Sequence, residues 1–333
     1  MFLFDLKQAR NILLGTFYGC LILLALTPIC GCSKYEASGY HKYFDRPSSE
    51  FIAVFGDIQY YTFEEEVHLF KNSLSWIEDN RNKMNTLCVL CTGDIKHTSN
   101  EQWKYFDETM KDFSLPFISN IGNHDYNWKN GLIYDRHDTD FNDHNQFQLV
   151  TERIESAFEA GRVENIVVRN EIHGERYDIL LLEYSPRKEV VEWAQEWVVL
   201  HPEIKYILMT HRHLAKNGVG LAKGVPSSMR ETDDYITPEE LWTQLIKCND
   251  NIAWVLCGHV GGLYGATYEK NDFGREVCQI EHNIQGSEFR YDNWLMIWEF
   301  PEDSDLATVS IVNTKTGYLY DSKEALFTFK YRY

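Results

Sequence analysis

The sequence predicts an α/β fold built around a parallel sheet, and two observations support this. Five apolar runs of strand length each lead directly into a turn that carries a side chain able to bind a metal. Amphipathic segments separate the first three runs, and this β-α-β-α-β order is typical of parallel strands joined by right-handed crossovers. Because open α/β sheets place their sites at the carboxyl ends of the strands, we expect these side chains to lie together.

The polar residues of interest lie in the turns that follow the five apolar runs. The runs are residues 51–55, 86–92, 116–121, 206–210 and 252–257. The turns contain, in the same order, Gly56-Asp57-Ile58-Gln59, Gly93-Asp94, Gly122-Asn123-His124-Asp125, His211 and Gly258-His259. Carboxylate and amide oxygens suit hard cations, whereas an imidazole can bind a metal or give a proton to a substrate.

Capping signals and apolar spacing predict the helices. Four helix starts are indicated, at Thr62 with Glu65, Ser99 with Gln102, Ser185 with Pro186, and Thr237 with Pro238. One further helix is suggested by the apolar spacing of Phe147, Val150, Ile154 and Phe158. After residue 259, short apolar runs such as 294–298 and 326–329 alternate with turns, which predicts a second, more antiparallel sheet.

Residues 1–31 have the pattern of a secretory leader and do not enter the fold prediction. Lys7 and Arg10 give a positive start, and residues 12–29 are almost wholly apolar. A small residue before Cys32 resembles a bacterial lipobox, so we expect Cys32 to carry the lipid that anchors the chain in the cell envelope, facing the periplasm or the exterior. A retained transmembrane anchor is the alternative. Residues 32–49 then form a tether to one domain, residues 50–333.

Composition limits the partners. The formal net charge is -18 and no basic run is present, which argues against binding to a nucleic-acid backbone. Beyond Cys32 the chain has an odd number of cysteines, which gives no disulfide framework: Cys88, Cys91, Cys248, Cys257 and Cys278. Three of these lie in apolar runs and are expected to pack as small core residues.

The ordered motifs resemble those of the calcineurin-like metallophosphoesterases. They are Asp57-x-Gln59, Gly93-Asp94, Gly122-Asn123-His124-Asp125, His211 and Gly258-His259. Each motif is short, but five in this order, each after an apolar strand, are specific, and the resemblance covers roughly residues 50–262. It implies a four-layered α/β/β/α sandwich, with two mixed sheets, flanking helices and two metal ions at the strand ends.

The resemblance also implies a ligand set. Asp94 is similar to the carboxylate that bridges the two ions, and Asp57 is similar to a ligand of one of them. The remaining ligands of the other ion would be Asn123, His211 and His259. In this chemistry the two cations screen the phosphate charge and lower the pKa of a bridging water, so that hydroxide attacks phosphorus in line.

Two residues are catalytic candidates on the same grounds. His124 resembles an imidazole that binds no metal, contacts the phosphate and assists the leaving group, as an imidazole can near neutral pH. Asp125 follows it in the same motif. Four aromatic side chains are candidates for the pocket wall, with ordinary packing as the alternative: Tyr60, Tyr61, Trp128 and Tyr134.

Two positions depart from the family pattern, and both belong to the same ion. Gln59 stands where members usually have histidine, and Gly261 stands at the last place of the usual Gly-His-x-His. One site therefore has a full ligand set, whereas the other has Asp57, the shared Asp94 and the Gln59 amide oxygen. We expect divalent cations (Mn, Fe, Zn or Mg), with the second ion weaker, harder or recruited with substrate.

The sequence thus predicts a metal-dependent phosphoesterase that hydrolyses phosphate mono- or diesters, either small molecules or esters on a surface. One alternative is a non-catalytic or weakly active binding lipoprotein, because two ligand imidazoles are missing from its metal centre. Another is an enzyme of the same fold that cleaves a different bond, such as an amide. No leaving-group pocket is identifiable, so the substrate stays open.

Overall fold

The computed structural model describes residue 44 and residues 46–144, 150–285 and 290–333; the leader, Cys32 and Phe147 lie outside them. The strands are β1 (Ser49–Phe55), β2 (Thr86–Cys91), β3 (Phe117–Ser119), β4 (Ile154–Ala157), β5 (Ile166–Val168), β6 (Glu171–Ile172), β7 (Glu175–Leu182), β8 (Lys205–Thr210), β9 (Ile252–Cys257), β10 (Gly262–Lys270), β11 (Glu276–Asn283), β12 (Trp294–Pro301), β13 (Leu306–Asn313) and β14 (Phe327–Lys330). The helices are α1 (Val67–Met84), α2 (Glu101–Met110), α3 (Lys188–Leu200) and α4 (Pro238–Leu241), the last continuing as a π-helical turn at Trp242–Ile246.

The first sheet joins strands from both ends of the described chain, in the order β14-β13-β12-β1-β2-β3. β1, β2 and β3 are parallel, as the β-α-β-α-β pattern predicts. On its other edge β1 pairs with β12 in antiparallel register, from Ser49 opposite Pro301 to Val54 opposite Met296. The apolar β1 therefore has a hydrogen-bonded neighbour on each side, as a fully buried strand requires.

The second sheet has the order β10-β11-β9-β8-β7-β5-β4, with the short β6 beside β7. β7, β8, β9 and β11 are parallel to one another. Their carboxyl ends therefore lie at one edge of the sheet, where the turns after β8 and β9 deliver His211 and His259.

The two sheets pack face to face, and helices cover their outer faces. Between the sheets, Trp254 on β9 lies 6.1 Å from Trp298 and 4.9 Å from Phe329, measured between ring centroids. Phe70 of α1 packs on the first sheet, 5.3 Å from Phe55. Alternate residues of the second sheet, such as Leu208, pack in a separate apolar cluster with α3 and α4. The predicted four-layered arrangement of two mixed sheets and flanking helices is confirmed.

The expectation that the tail forms its own antiparallel sheet is wrong. β10 and β11 join the second sheet, while β12, β13 and β14 complete the first. Alternating apolar residues identify a strand but carry no information about which edge it pairs with. Here the free edge of β1 receives a strand from about 250 residues further along, and Ser49 donates across this pair to Glu299, 2.8 Å away.

Two helices start later than their sequence signals suggest. The Thr62 hydroxyl donates to the Ile95 carbonyl at 2.6 Å and thus binds the loop after β2, so α1 begins at Val67. α3 begins at Lys188, and the backbone N–H of Arg187 donates to Glu183 instead of a Ser185 cap. A short polar side chain finds a partner in a neighbouring loop as readily as in its own helix.

The other helix predictions have mixed outcomes. The cap of α4 is confirmed, since Thr237 Oγ1 accepts from the Glu240 N–H at 3.2 Å while the Glu240 carboxylate accepts from the Thr237 N–H at 2.9 Å. In α2 the cap position falls at Asn100, one residue after the expected Ser99. The helix suggested around Ile154 is wrong, because that residue begins β4 in the second sheet.

The last part of the expected tether belongs to the folded domain. Phe44 is fully buried and lies 6.0 Å from the Trp76 ring of α1, and Ser49 already begins β1. Cys88, Cys91 and Cys257 are buried free thiols, as predicted for core residues. Among the described residues, none of the helices has both the length and the apolar character needed to cross a membrane.

Candidate metal centre

Three of the predicted ligands converge where the strands end. Asp94 follows β2, His211 follows β8 and His259 follows β9, and one ligand atom from each lies within 4.8 Å of the others. The turns that place them are tight, since Asp94 has φ 53° and His259 has φ 68°. Such left-handed backbone is uncommon outside glycine and points to a local constraint at the site.

Buried oxygens without hydrogen bonds indicate what the centre can hold. Asp94 Oδ2 and Asn123 Oδ1 are buried with no partner among the described residues. His211 Nδ1 donates to the Thr92 carbonyl at 2.7 Å, which leaves Nε2 facing Asp94 Oδ1 at 3.3 Å. Burying polar atoms without partners is costly, and a divalent cation would satisfy them. A carboxylate, an amide oxygen and two imidazoles are a suitable donor set for such a cation.

The charges within the centre favour replacement of a proton by a cation. Burial lowers the pKa of His211, but Asp94 and Asp57 outweigh it and raise that pKa to about 10. Burial raises the pKa of Asp94, but charged His211 outweighs it and brings the value below the usual range. Burial, aided by the charge on His211, lowers the pKa of His259 to about 3. The His259 imidazole is therefore neutral, and a cation would displace the His211 proton.

His124 lies beside this centre and is held from several sides. Its backbone N–H donates to Asp94 Oδ1 at 2.9 Å, and its Nδ1 donates to the His97 carbonyl at 2.8 Å. Its ring stacks on that of His97, at 4.7 Å, and contacts the tilted ring of Trp128, at 4.6 Å, measured between centroids. Trp128 is fixed in turn, because Nε1 donates to the Asn123 carbonyl at 2.6 Å. Because Nδ1 donates to a carbonyl, Nε2 is the ring nitrogen that remains to exchange a proton with a substrate.

Asp125, the other catalytic candidate, accepts hydrogen bonds from three backbone N–H groups. Its carboxylate accepts from the N–H groups of Gly122 and Ile95, each at 2.8 Å, and of Lys96 at 3.1 Å. It is fully buried, and burial, with the charge of Asp94 beside it, raises its pKa to about 7. The side chain therefore ties the turn after β3 to the turn after β2 and so positions His124.

The two predicted ligands of the second ion are surrounded differently. Asp57 is buried, and its carboxylate accepts from Thr92 Oγ1 at 2.9 Å and from the His259 N–H at 3.2 Å. Gln59 Oε1 is buried and has no partner in the described segments, while Nε2 lies 3.4 Å from His97 Nδ1. Burial raises the pKa of Asp57 to about 7.

Asn283 and Gln285 are site residues that sequence reasoning missed. Their side-chain N–H groups donate to Asp57 Oδ2, at 2.8 Å and 3.0 Å respectively. They follow or end β11, which is parallel to β9, so the strand-end rule that identified the other residues applies to them as well. The sequence pattern assigns the tail to a separate sheet, so the rule does not extend to these two residues until the pairing of β11 with β9 is known.

Gly122 allows the close approach on which the centre depends. A Cβ at this position would lie 2.1 Å from Asp94 Oδ1 and 2.4 Å from the Asp94 backbone nitrogen. Gly122→Ala is therefore expected to displace Asp94, lower stability by about 1–3 kcal/mol through overpacking, and weaken metal binding. Thermal unfolding and metal content measure both effects.

Gly131→Ala is the control for that substitution. Gly131 has φ 76° and no atom within 4 Å of a built Cβ, so only the backbone preference changes, at a cost of about 1–2 kcal/mol with metal binding retained. Unchanged metal binding in Gly122→Ala would contradict the close-approach argument.

A further buried carboxyl lies on β11. Burial, reinforced by the charge of Asp57, raises the pKa of Glu281 from 4.5 to about 9. Because the folded protein holds this proton more tightly than the unfolded chain, stability is full below pH 4.5 and falls as the pH rises through 9. From pH 5 to 8, Glu281→Gln should remove up to about 4 kcal/mol of that pH-dependent loss, measured by urea unfolding at each pH. An equally steep pH dependence in the variant would contradict this.

The chain belongs to the calcineurin-like phosphoesterase family, whose model matches residues 52–262. It is also similar to the uncharacterized protein YvnB of Bacillus subtilis (strain 168), with 25% identity over 279 residues. That alignment covers 76% of this chain and 19% of YvnB, so the chain spans about a fifth of that relative's length. The matched family segment includes Asp57, Asp94, Asn123, His124, His211 and His259, whereas Asn283 and Gln285 lie beyond its end.

Proposed function

We propose that this chain is a metal-dependent phosphoesterase whose site is formed by Asp94, Asn123, His211 and His259. The observation that carries the proposal is the pair of buried, unpartnered oxygens, Asp94 Oδ2 and Asn123 Oδ1, beside two converging imidazoles. A divalent cation bound there would supply a Lewis acid for the phosphoryl oxygen and lower the pKa of a water molecule. Membership of the phosphoesterase family supports the same reaction class.

His124 would act on the leaving group. Its Nδ1 is occupied by the His97 carbonyl, so Nε2 faces away from that bond and can give a proton to the departing ester oxygen. Rotation of the ring is restricted, because it stacks on His97 and contacts the tilted ring of Trp128. Asp125 and Trp128 position this imidazole and do not themselves transfer a proton.

The test combines hydrolysis with metal analysis on the same sample. Protein stripped with a chelator and then supplied with Mn, Fe, Zn or Mg is assayed against aryl and alkyl phosphate monoesters and diesters. We expect hydrolysis that is lost with the metal and restored by one or more of these cations. The substrate panel distinguishes monoesters from diesters.

One observation favours a second candidate, a binding protein with little or no turnover. The imidazoles usual for the second ion are replaced by Gln59 and Gly261. In the same test this protein would bind metal and leave every ester intact. His124, held beside the complete ligand set, favours the enzyme.

We also propose that the mature chain is tethered to a membrane surface by lipid at Cys32, where it would meet esters outside the cytoplasm. The positive start, the apolar run and the small Gly31 support this. Mass spectrometry of detergent-extracted protein should find an acylated N-terminal cysteine at Cys32. A mature N-terminus at Met1 would contradict the proposal and favour a retained anchor.

A further inference from the structure

The carboxylate of Asp57 has no lone pair left for a cation. Its two oxygens accept from the Thr92 hydroxyl, the His259 backbone N–H and the side-chain amides of Asn283 and Gln285. These four donors match the roughly four acceptor positions of a carboxylate. By contrast, Asp94 Oδ2 has no hydrogen-bond partner within the part of the chain that the structure describes.

The orientation of both amides is fixed by other contacts. Asn283 Oδ1 accepts from the Gln285 backbone N–H at 2.8 Å, so its NH₂ group must face Asp57. Gln285 Nε2 also donates to the His259 carbonyl at 3.4 Å, and turning the amide over would set an oxygen against oxygens. The groups around Asp57 therefore point N–H and O–H hydrogens at its carboxylate. The partial positive charge of these hydrogens repels a cation.

The close approach of Gly258 also limits the space beside the Asp57 carboxylate. A Cβ on Gly258 would lie 2.3 Å from Asp57 Oδ1 and 2.4 Å from Thr92 Oγ1. Gln59 Oε1 is the one unpartnered oxygen among the predicted ligands particular to the second ion. With the shared Asp94 it would give a cation two protein ligands, too few for a dedicated protein site.

We propose that the site holds one divalent cation, and that hydrogen bonds from Asn283, Gln285, Thr92 and His259 stabilise the charge of Asp57 in place of a second one. This inference rests on the proposed function, which it refines. Hydrogen bonds to an ionised acceptor are among the stronger ones in proteins, so four of them can stabilise the buried charge. Catalysis would then depend on one cation together with His124.

The experiment is metal stoichiometry, measured without substrate. Wild-type protein is stripped, saturated with Mn²⁺, desalted and analysed for metal, and the same addition is followed by calorimetry. We expect about one ion per chain and a single binding event. Two ions per chain would overturn this inference and leave the proposed function standing. No bound ion would overturn both, whereas one ion without hydrolysis would contradict only the proposed function.

A variant designed to bind a second ion tests whether the hydrogen-bond donors around Asp57 exclude it. Gln285→Glu replaces an amide donor by two acceptor oxygens next to Asp57, so a second, weaker ion should now bind. Gln244→Glu makes the same chemical change at an exposed position on the helix that follows α4 and should stay at one ion. A Gln285→Glu variant that still takes a single ion would overturn the claim that donors around Asp57 exclude the second one.

Discussion

Asp94→Asn should abolish both metal binding and phosphoester hydrolysis. Over the described ranges of the chain, Asp94 is the one carboxylate grouped with His211 and His259, and its Oδ2 has no hydrogen-bond partner there. The substitution removes the negative charge that would hold the cation and adds an NH₂ group that repels it. Even changes to residues that only support a metal ligand cost roughly 10–100-fold in affinity, so loss of this ligand should exceed that.

The measurement is metal content after saturation and desalting, with hydrolysis of an activated aryl ester on the same sample. Asp250→Asn is the matched control, because it makes the same change on an exposed carboxylate that binds Arg275 instead of the site. Retention of metal by Asp94→Asn would show that the centre lies elsewhere. Thermal unfolding of both variants confirms that they are folded.

His124→Ala should slow turnover by roughly 10²–10⁴-fold for an ester with a poor leaving group while metal content stays near normal. The reason is geometric: His124 lies outside the group of metal-capable side chains, and its hydrogen bond to Asp94 comes from its backbone N–H. The loss should be much smaller for an activated aryl ester, because its leaving group hardly needs a proton.

His68→Ala is the control for this effect, since His68 is an exposed histidine on α1. The comparison of two leaving groups separates proton donation from a general loss of structure, which would lower both rates alike. If His124→Ala lost its metal, or hydrolysed the poor-leaving-group ester at the wild-type rate, the assignment of His124 as the acid would be wrong.

The strand-end rule accounts for what the sequence predicted well. Each apolar run that ended in a polar turn became a strand of one of the two sheets, because a buried strand must leave the core where polar residues begin. Asp94, His211 and His259 lie in turns that this rule identified, and the structure brings them together. Such a pattern can be recognised from the sequence because each strand and the turn after it are contiguous in the chain.

What the sequence could not predict depends on contacts between distant segments. Two donors to Asp57, Asn283 and Gln285, lie at the end of β11 and just after it, more than 200 residues away, and no pattern near Asp57 in the chain predicts them. Thr62 carried a good capping pattern but donates to Ile95 instead. Capping and spacing rules describe local preference, and tertiary partners override it.

The pairing of β1 with β12 has a consequence for synthesis of the chain. β1 leaves the ribosome early, yet the strand that covers its second edge ends only at Pro301. At usual translation speeds the apolar β1 waits roughly 10 to 50 seconds for this partner. During that interval the unpaired edge of β1 can pair with a strand of another nascent chain. Chaperones that shield exposed strands should therefore raise the yield of folded protein. A truncated gene product ending at residue 262, where the family match stops, would keep that edge permanently open and should aggregate.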